Sequence, residues 1–490
     1  MTLPLLLDDA LSATATGFVL RLSLPWIRSL PLASVTDLEV TIDAEPAPVK
    51  VGVAGASPTS QELAAATGWW FIQDRLELHG DRALAPGAHD VRVSFTLLVP
   101  YLQAGPAGPV ALPFRAEQVL RVEDPVLGAT ASGDRPSSAA PLSPSRGPSH
   151  GDASAGREDE DDDVWTLSAS AFNWTSRVIR ADQAVNDIAV GIIASGVSKT
   201  IEIEAGQVWR SFPEPADAEV DELRERVAAL GGAVTIVGAS LDDWALPPRR
   251  RTEEERLTFL LPQLRAAARV GALGVRVPFG QAGRELLRRV QPVLEDLGLI
   301  LYEEIQGQQA LDVPAVATNL ELLQQLADPR IRVLIDISML MPSLPLSYLE
   351  ELRRGGIDEA LLRRLEHEWR APETHTAVVA ALRGGDVPPA VHTLFMNLLV
   401  RFGRSQMADL EPLLPLTAGV HLKFWDLEDS DGRVSRPIGE IGAALSRTGF
   451  TGTLTSEWGG HEWLDADPAE MTRAHLGLAR DALSAVSATR

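Results

Sequence analysis

The feature that most constrains the fold is a regular alternation of β-rich and helical segments from Val164 onwards. Eight short apolar, β-rich segments recur there, separated by stretches with helical periodicity. We predict strands at residues 165–171, 200–205, 233–238, 273–278, 299–305, 331–337, 419–425 and 452–458. Eight strand–helix alternations over residues 164–490 predict an α/β fold, specifically a (β/α)8 TIM barrel.

The helical stretches have apolar residues at spacings of three and four. They include residues 219–230, 253–270, 284–297 and 468–486. The last stretch opens with Asp467 and Pro468, an acid at the N-cap followed by proline at the first helical position. The gap between the sixth and seventh strands is too long for one helix. We therefore expect residues 345–410 to form an insertion of two or three helices near the barrel mouth.

Residues 1–130 have a different pattern, in which apolar and polar residues alternate at a period of two. The alternating segments are residues 17–24, 38–43, 49–53, 89–95 and 118–122, and turns such as Ala85-Pro86-Gly87-Ala88 separate them. Short strands at this spacing predict a small all-β sandwich domain. We interpret the aromatic patch at residues 69–71 as core, with a binding face as the alternative.

Between the two regions, residues 131–163 are rich in Ser, Pro, Gly and Ala and end in six consecutive acidic residues, Glu158–Asp163. Such a segment cannot bury enough apolar surface to offset its ordering entropy. We predict a disordered acidic linker. Docking of the acidic run on a basic surface is the alternative to a solvated linker end.

The composition excludes several classes of function. The chain has no cysteine, which excludes disulfides, thiol catalysis and zinc–thiolate sites. Its 67 acidic and 44 basic residues give a net charge of −23, which disfavours nucleic acid and anionic membranes as partners. The N-terminal residues lack the basic region of a signal peptide, and no apolar run is long enough to span a bilayer, so we expect a cytoplasmic protein.

Acidic residues and a histidine occur at the ends of four successive predicted strands. Strand five ends in Glu303 and Glu304, strand six in Asp336, strand seven carries His421, and strand eight ends in Glu457. TIM-barrel active sites lie at these carboxyl ends, and buried carboxylates need a partner or a metal. A lone Asp there is usually a helix cap, but four such residues together predict a divalent metal site. The carboxylate-rich set favours Mn²⁺, or Mg²⁺, over zinc.

Only one of the two adjacent glutamates in strand five can point into the barrel, and the sequence pattern alone does not show which one. The segments that carry these residues are 304–307, 334–338, 420–424 and 456–461. In them the barrel resembles the xylose isomerase-like sugar phosphate isomerase/epimerase superfamily, and most closely the α subunits of C-glycoside deglycosidases. Residues 1–130 are similar in size to the β-sandwich subunit of those enzymes. The resemblance implies a single divalent metal held by Glu304, Asp336, His421 and Glu457.

One position departs from that superfamily. Many members have a histidine two residues after the strand-five glutamate, and this chain has Gln306, which cannot act as a base. The best substitute is His461, four residues after Glu457, although a purely structural His461 is an equal alternative. His375 and His392, in the insertion, could also reach over the mouth.

Lys423 is one of only three lysines in the chain, with Lys50 and Lys199, and lies two residues after His421. At this position its ammonium could bind a substrate hydroxyl or stabilise developing negative charge. The alternative is a structural ion pair with Glu457 or Asp336.

Aromatic residues at or just past the strand ends could form a wall for a sugar ring or a flat aglycone. They are Trp174, Trp209, Trp425 and Trp458. Some of them must serve packing instead. We take Trp174, Trp425, Trp458 and His392 as candidate substrate-binding residues, and His461, Lys423 and Gln306 as occupants of the catalytic positions.

The resemblance implies metal-dependent cleavage of 3-oxo-glycosides, in which a base removes the C2 proton and the aglycone is eliminated. An isomerase or epimerase acting on a sugar or sugar phosphate is the alternative, because its reaction also begins with proton removal and a metal-stabilised enediolate. A non-catalytic carbohydrate-binding protein is a third hypothesis, favoured by Gln306 and opposed by the intact ligand set. The expected partner is an oxidised sugar or glycoside. We expect a homo-oligomer, since the family's α and β subunits associate and a flexible linker permits the β-sandwich domains to be exchanged between chains.

Overall fold

The computed structural model describes residues 4–52, 58–59, 62–103, 108–123, 165–246 and 248–487. The predicted acidic linker at residues 131–163 lies outside the described residues, so its disorder stays a prediction. Among the helices of the described ranges, none combines the length and hydropathy of a bilayer-crossing segment.

The N-terminal region is a separate small domain built from antiparallel sheets, as the period-two pattern predicts. Its strands are β1 (Leu11–Ala13), β2 (Phe18–Ser23), β3 (Leu30–Pro31), β4 (Val35–Ile42), β5 (Glu45–Pro46), β6 (Val49–Gly52), β7 (Trp69–Trp70), β8 (Arg75–Gly80), β9 (Gly87–Gln103) and β10 (Pro109–Val122). Two four-stranded sheets have the orders β1-β2-β8-β6 and β10-β9-β4-β5, and apolar residues of both sheets belong to one core. The predicted segments match β2, β4, β6 and the parts of β9 and β10 farthest from their turn, and they do not include β8.

The second region is a closed barrel of eight parallel strands, which confirms the predicted (β/α)8 fold. The strands in this region are β11 (Thr166–Ser170), β12 (Thr200–Glu204), β13 (Ala233–Gly238), β14 (Trp244–Ala245), β15 (Arg249–Arg250), β16 (Gly274–Pro278), β17 (Ile300–Ile305), β18 (Ile331–Asp336), β19 (Thr417–Phe424) and β20 (Thr453–Trp458). All except the short β14–β15 hairpin belong to the barrel. Ile236, Tyr302 and Leu334 form a small buried cluster of their own on the barrel strands.

The helices follow the predicted order. They are α1 (Thr175–Arg180), α2 (Val185–Ala194), α3 (Ala205–Val208), α4 (Asp217–Ala229), α5 (Glu253–Val270), α6 (Gly283–Leu297), α7 (Pro314–Leu326), α8 (Leu346–Arg354), α9 (Glu359–His367), α10 (Pro372–Gly384), α11 (His392–Phe395), α12 (Asn397–Val400), α13 (Ser435–Leu445) and α14 (Pro468–Ser487). The Asp467 carboxylate accepts hydrogen bonds from the amides of Ala469 and Glu470, which confirms the predicted N-cap of α14.

The insertion contains five helices, α8 to α12, instead of the two or three expected, because two short helices of four residues each follow the three longer ones. It has its own apolar core, which includes Tyr348, Trp369 and Phe402. It connects β18 to β19. The N-terminal domain lies at the opposite side of the barrel rim, where Ser29 donates to the Gly206 carbonyl at 2.9 Å and Gln207 donates to the Ile27 carbonyl at 2.7 Å. Both barrel residues come directly after β12, at its carboxyl end.

An ion pair and an aromatic contact complete this domain interface. Arg28 reaches Asp242, after β13, at 2.5 Å, and both side chains are buried. Trp69 packs edge-on against Phe212, with ring centroids 5.0 Å apart. The aromatic patch at residues 69–71 is therefore packed, partly into the core and partly against the barrel.

Candidate active site

The pairing of the barrel strands determines which of the two adjacent glutamates faces inward. Glu304 faces the interior and reaches His421 Nδ1 at 2.9 Å with its Oε1 atom. Glu303 lies on the other face of β17, where its carboxylate accepts hydrogen bonds from Asn319 of α7 at 2.5 Å and from the Gly280 amide at 3.2 Å. The inward residue is thus Glu304, the one that the family resemblance indicates.

The four predicted ligands come together. One ligand atom from each of Glu304, Asp336, His421 and Glu457 lies within 4.8 Å of the others, and all four residues are buried. They come from four consecutive barrel strands, and neighbours are in register: Asp336 pairs with His421, and Lys423 with Glu457.

The orientation of these atoms indicates that they converge on a common point. His421 Nδ1 is 2.7 Å from Glu457 Oε2, yet neither atom has a hydrogen-bond partner of acceptable geometry. Asp336 Oδ2 is also buried without a partner, while its Oδ1 accepts from the Ser338 amide at 2.7 Å. Unsatisfied buried polar atoms are rare. Carboxylate oxygens and an imidazole nitrogen fit a divalent cation such as Mn²⁺ or Mg²⁺.

A second group of charged residues, which the sequence pattern did not single out, surrounds this cluster. Arg276 of β16 contacts Glu202 at 2.8 Å, Glu304 at 2.7 Å and also Glu204. Glu202 in turn lies 3.0 Å from His421 Nε2. The sequence did contain a signal for this group, because Glu202, Glu204 and Arg276 are charged residues inside predicted barrel strands. Glu202 and Glu204 are two residues apart, so they share one face of their strand.

Electrostatics in the interior favours a cation. Burial opposes charge on Glu457, but Lys423 and His421 hold its pKa well below the ordinary range. Burial likewise opposes protonation of His421, yet Glu202, Glu457 and Glu304 raise its pKa well above normal. Burial raises the pKa of Asp336 to about 6. Five carboxylates face two permanent cations here, so negative charge is in excess.

Lys423 occupies the predicted position beside the cluster. Its Nζ lies 3.2 Å from Glu457 Oε1 and 5.7 Å from the centroid of the Phe172 ring. The ion pair with Glu457 is the structural alternative that the sequence left open. It does not exclude contact with a substrate, because a lysine ammonium has three donors.

His461 and Gln306 differ in their environments. The His461 ring is buried between Phe172 and Trp458, with centroids at 5.2 and 5.7 Å, and its Nε2 has no hydrogen-bond partner. Burial lowers the pKa of His461 to about 4, so the imidazole is neutral at pH 7. Gln306 is half-buried directly after β17, and its backbone N–H donates to Gln309 Oε1 at 2.9 Å.

Of the predicted substrate-binding tryptophans, the structure brings one near Lys423. A Cβ built on Gly459 would lie 2.6 Å from Trp425 Nε1 and 3.2 Å from Lys423 Cε, so both side chains approach the same point. Trp425 also lines a cavity that includes Met341 and Arg433.

The side chains of the other candidates are packed elsewhere or exposed. Trp458 is fully buried, and its indole donates to the Trp425 carbonyl at 2.8 Å on the outer side of β20. Trp174, at 3% exposure, and the fully buried Trp209 belong to the hydrophobic core. His392 is exposed at the start of α11. The structure gives these residues no contact with the four-residue cluster. Packing between strands and helices buries such indoles, and no local pattern reveals it.

Comparisons with known proteins found relatives for both regions, while no family model matches. The C-glycoside deglycosidase alpha subunit of Arthrobacter globiformis is 26% identical over 325 residues, covering 65% of this chain and 92% of that protein. The 3'-dehydrocarminate deglycosidase beta subunit of a Microbacterium species is 30% identical over 103 residues, covering 20% of this chain and 78% of that protein. A solved D-psicose 3-epimerase structure aligns with 65% of this chain and 99% of its own, at 14% identity and a TM-score of 0.40.

Proposed function

Because this chain belongs to the C-glycoside deglycosidase family, with a β-subunit-like domain and an α-subunit-like barrel in one polypeptide, we propose that it cleaves 3-oxo-glycosides by metal-dependent elimination of the aglycone. It is an enzyme, and its relatives support an activity on sugars. The observation that carries the proposal is the convergence of three unpartnered ligand atoms, on Asp336, His421 and Glu457, at the carboxyl ends of the barrel strands.

In this proposal Glu304, Asp336, His421 and Glu457 hold one divalent cation, with Mn²⁺ as our first choice and Mg²⁺ as the alternative. When bound, such a cation would polarise a carbonyl of an oxidised sugar and acidify the neighbouring C–H bond. Lys423 keeps Glu457 ionised and presents its remaining donors to sugar oxygens. Trp425 belongs to the apolar core of the insertion, which places the insertion beside the site.

The test uses purified full-length protein and a 3-oxo-C-glycoside. We expect free aglycone, detected by chromatography, and we expect activity to disappear after exhaustive chelation and to return with Mn²⁺. His421→Ala should abolish the metal-dependent activity. Activity that is indifferent to chelation would contradict metal dependence. Deuterium uptake from solvent at C2 without aglycone release would favour an epimerase or isomerase over the lyase.

We also propose a homo-oligomeric assembly. The relatives are named as alpha and beta subunits, so association between such domains is a property of those proteins. In this chain the two domains already contact each other through Arg28 and Asp242. Mass photometry of the full chain tests the assembly, and a purely monomeric mass would contradict it.

A further inference from the structure

Glu204 lies where a side chain of the barrel wall can meet a substrate. It is the last residue of β12, and its side chain is 22% exposed. The other carboxylates of the interior are more deeply buried, at 0% for Glu202, 3% for Glu304 and 8% for Glu457. Among the described residues of this cluster, Glu204 is thus the carboxylate most open to the barrel mouth.

The surrounding residues leave room for this carboxylate and hold it beside the cluster. Gly238, at the end of the neighbouring strand β13, pairs with Glu204, and a Cβ built on Gly238 would overlap the Glu204 carboxylate. Arg276 contacts Glu204 and Glu304 through different nitrogen atoms of one guanidinium. The two carboxylates are therefore separated by little more than the width of that group.

The environment of Glu204 also suits proton transfer. Burial and the nearby carboxylates of Glu202, Glu457 and Glu304 raise the pKa of Glu204 to about 7. The Arg276 guanidinium lowers this pKa but offsets them only in part. A general base works best when its pKa is near the operating pH. Glu303 has a similar pKa, about 7, but faces α7 on the outer side of β17.

The other described candidates at the site are committed elsewhere. Glu304, Asp336, His421 and Glu457 form the ligand cluster, and Lys423 is paired with Glu457. Gln306 cannot accept a proton. His461 has an unpartnered Nε2 atom, but burial between two aromatic rings lowers its pKa to about 4, which makes it a weak base at pH 7.

We propose that Glu204 is the catalytic base that removes the C2 proton of the oxidised sugar, an inference that rests on the proposed function. The C2–H bond breaks, the proton moves to the Glu204 carboxylate, and the electron pair remains on the sugar, delocalised onto the C3 carbonyl oxygen. In the next step that pair forms the C1–C2 double bond, the C1–aglycone bond breaks, and the aglycone leaves with its bonding pair and takes up a proton. No oxidant or reductant is needed.

The experiment compares four forms of the full chain loaded with Mn²⁺: the wild type, Glu204→Gln, Gly238→Ala and the control Glu303→Gln. Two rates are measured on a 3-oxo-C-glycoside, aglycone release and exchange of the C2 hydrogen in D₂O, together with bound metal and the melting temperature. Loss of the base should lower both rates in Glu204→Gln about 10²–10⁴-fold. Bound metal should stay at the wild-type level. Gly238→Ala, which displaces the carboxylate, should lower both rates at least tenfold, and Glu303→Gln should stay within about threefold of the wild type.

The outcomes separate this inference from the proposed function. If the wild type releases aglycone and a folded, metal-loaded Glu204→Gln keeps its rate within threefold, the role of Glu204 is overturned and the proposed function stands. If the wild type only exchanges the C2 hydrogen, the lyase function fails, and loss of exchange in Glu204→Gln still supports the base. If the wild type does neither, both fall. Should Glu204→Gln not fold, Gly238→Ala decides by the same criteria.

Discussion

Glu303 and Glu304 are neighbours in the chain, yet the barrel wall separates their roles. Glu304 faces His421 in the interior, whereas Glu303 is bound by Asn319 and Gly280 outside. At the scale of single residues, therefore, the chemistry of a side chain depends on which face of the strand it occupies. The same rule makes Glu202 a neighbour of the cluster, although it is more than 200 positions from His421.

Glu202 should orient His421 for metal binding. Its carboxylate lies 3.0 Å from His421 Nε2, which leaves Nδ1 for the cation. Glu202→Gln removes the negative charge beside the imidazole and should weaken Mn²⁺ binding about 10–100-fold, the usual effect of changing a residue that hydrogen-bonds to a metal ligand. Isothermal titration of the metal-free protein measures this affinity. Glu222→Gln, on the exposed face of α4, is the matched control, and equal affinities for the two variants would refute the assignment.

His475 should make folding stability sensitive to acid. It is fully buried beneath Phe424, with Nδ1 2.8 Å from Ser456 Oγ, and burial lowers its pKa to about 3. In the unfolded chain the His475 imidazole takes up a proton below about pH 6.5, whereas in the folded protein it stays neutral down to about pH 3. The folded state therefore has its full stability with respect to His475 above about pH 6.5 and loses stability as the pH falls towards 3.

The expected loss from His475 between pH 7 and pH 5 is about 2 kcal/mol. Urea unfolding of the wild type and of His475→Gln at both pH values measures it. The free-energy difference between the two proteins should shrink by about that amount at pH 5. A difference independent of pH would contradict the prediction.

At the scale of elements, local signals set the ends of helices. Thr252 begins α5 with a capping box, in which its hydroxyl accepts from the Glu255 amide and the Glu255 carboxylate accepts from the Thr252 amide. Gly271 ends the same helix in a left-handed conformation, with φ of 85°. These signals explain why the predicted limits of α5, residues 253–270, agree with the structure.

Removing the cap should cost stability. Thr252→Ala should lower the free energy of unfolding by about 1 kcal/mol, because the orphan amide of the first turn loses its acceptor. Thr318→Ala, within the exposed face of α7, is the control and should be neutral or slightly stabilising. Chemical denaturation measures both. A loss that is equal in the two variants would rule out a specific capping effect.

At the scale of the whole molecule, the N-terminal domain and the helical insertion lie on different sides of the barrel rim. The first contacts the loops after β12 and β13, and the second follows β18. The Arg28–Asp242 pair is central to the domain interface, and Arg28 also stacks 4.1 Å from the Tyr101 ring centroid. Burial raises the pKa of Asp242 although Arg28 opposes it, so this acid depends on its partner.

Breaking this pair should uncouple the domains. Arg28→Met leaves Asp242 as an unpaired buried acid, which typically costs about 3–5 kcal/mol. We expect calorimetry to show one transition for the wild type, and for Arg28→Met either two transitions or one at a markedly lower temperature. The double variant Arg28→Met/Asp242→Leu should recover much of the loss, because no charge then remains unpaired. A melting curve of Arg28→Met that matches the wild type would contradict this role.

The sequence by itself determined the barrel, its eight strands within one or two residues, and three residues of the candidate metal cluster, Asp336, His421 and Glu457, with either Glu303 or Glu304 as the fourth. These follow from short-range information: period-two and helical spacing, caps, and polar residues where a strand should be apolar. Only the tertiary structure decided that Glu304 and not Glu303 faces inward, that Glu202, Glu204 and Arg276 belong to the site, and that Trp174 and Trp458 are packed in the core. The physical reason is that the inward face of a strand and the burial of an indole depend on the register of all eight strands and on the helices packed against them, which are contacts between residues far apart in the chain.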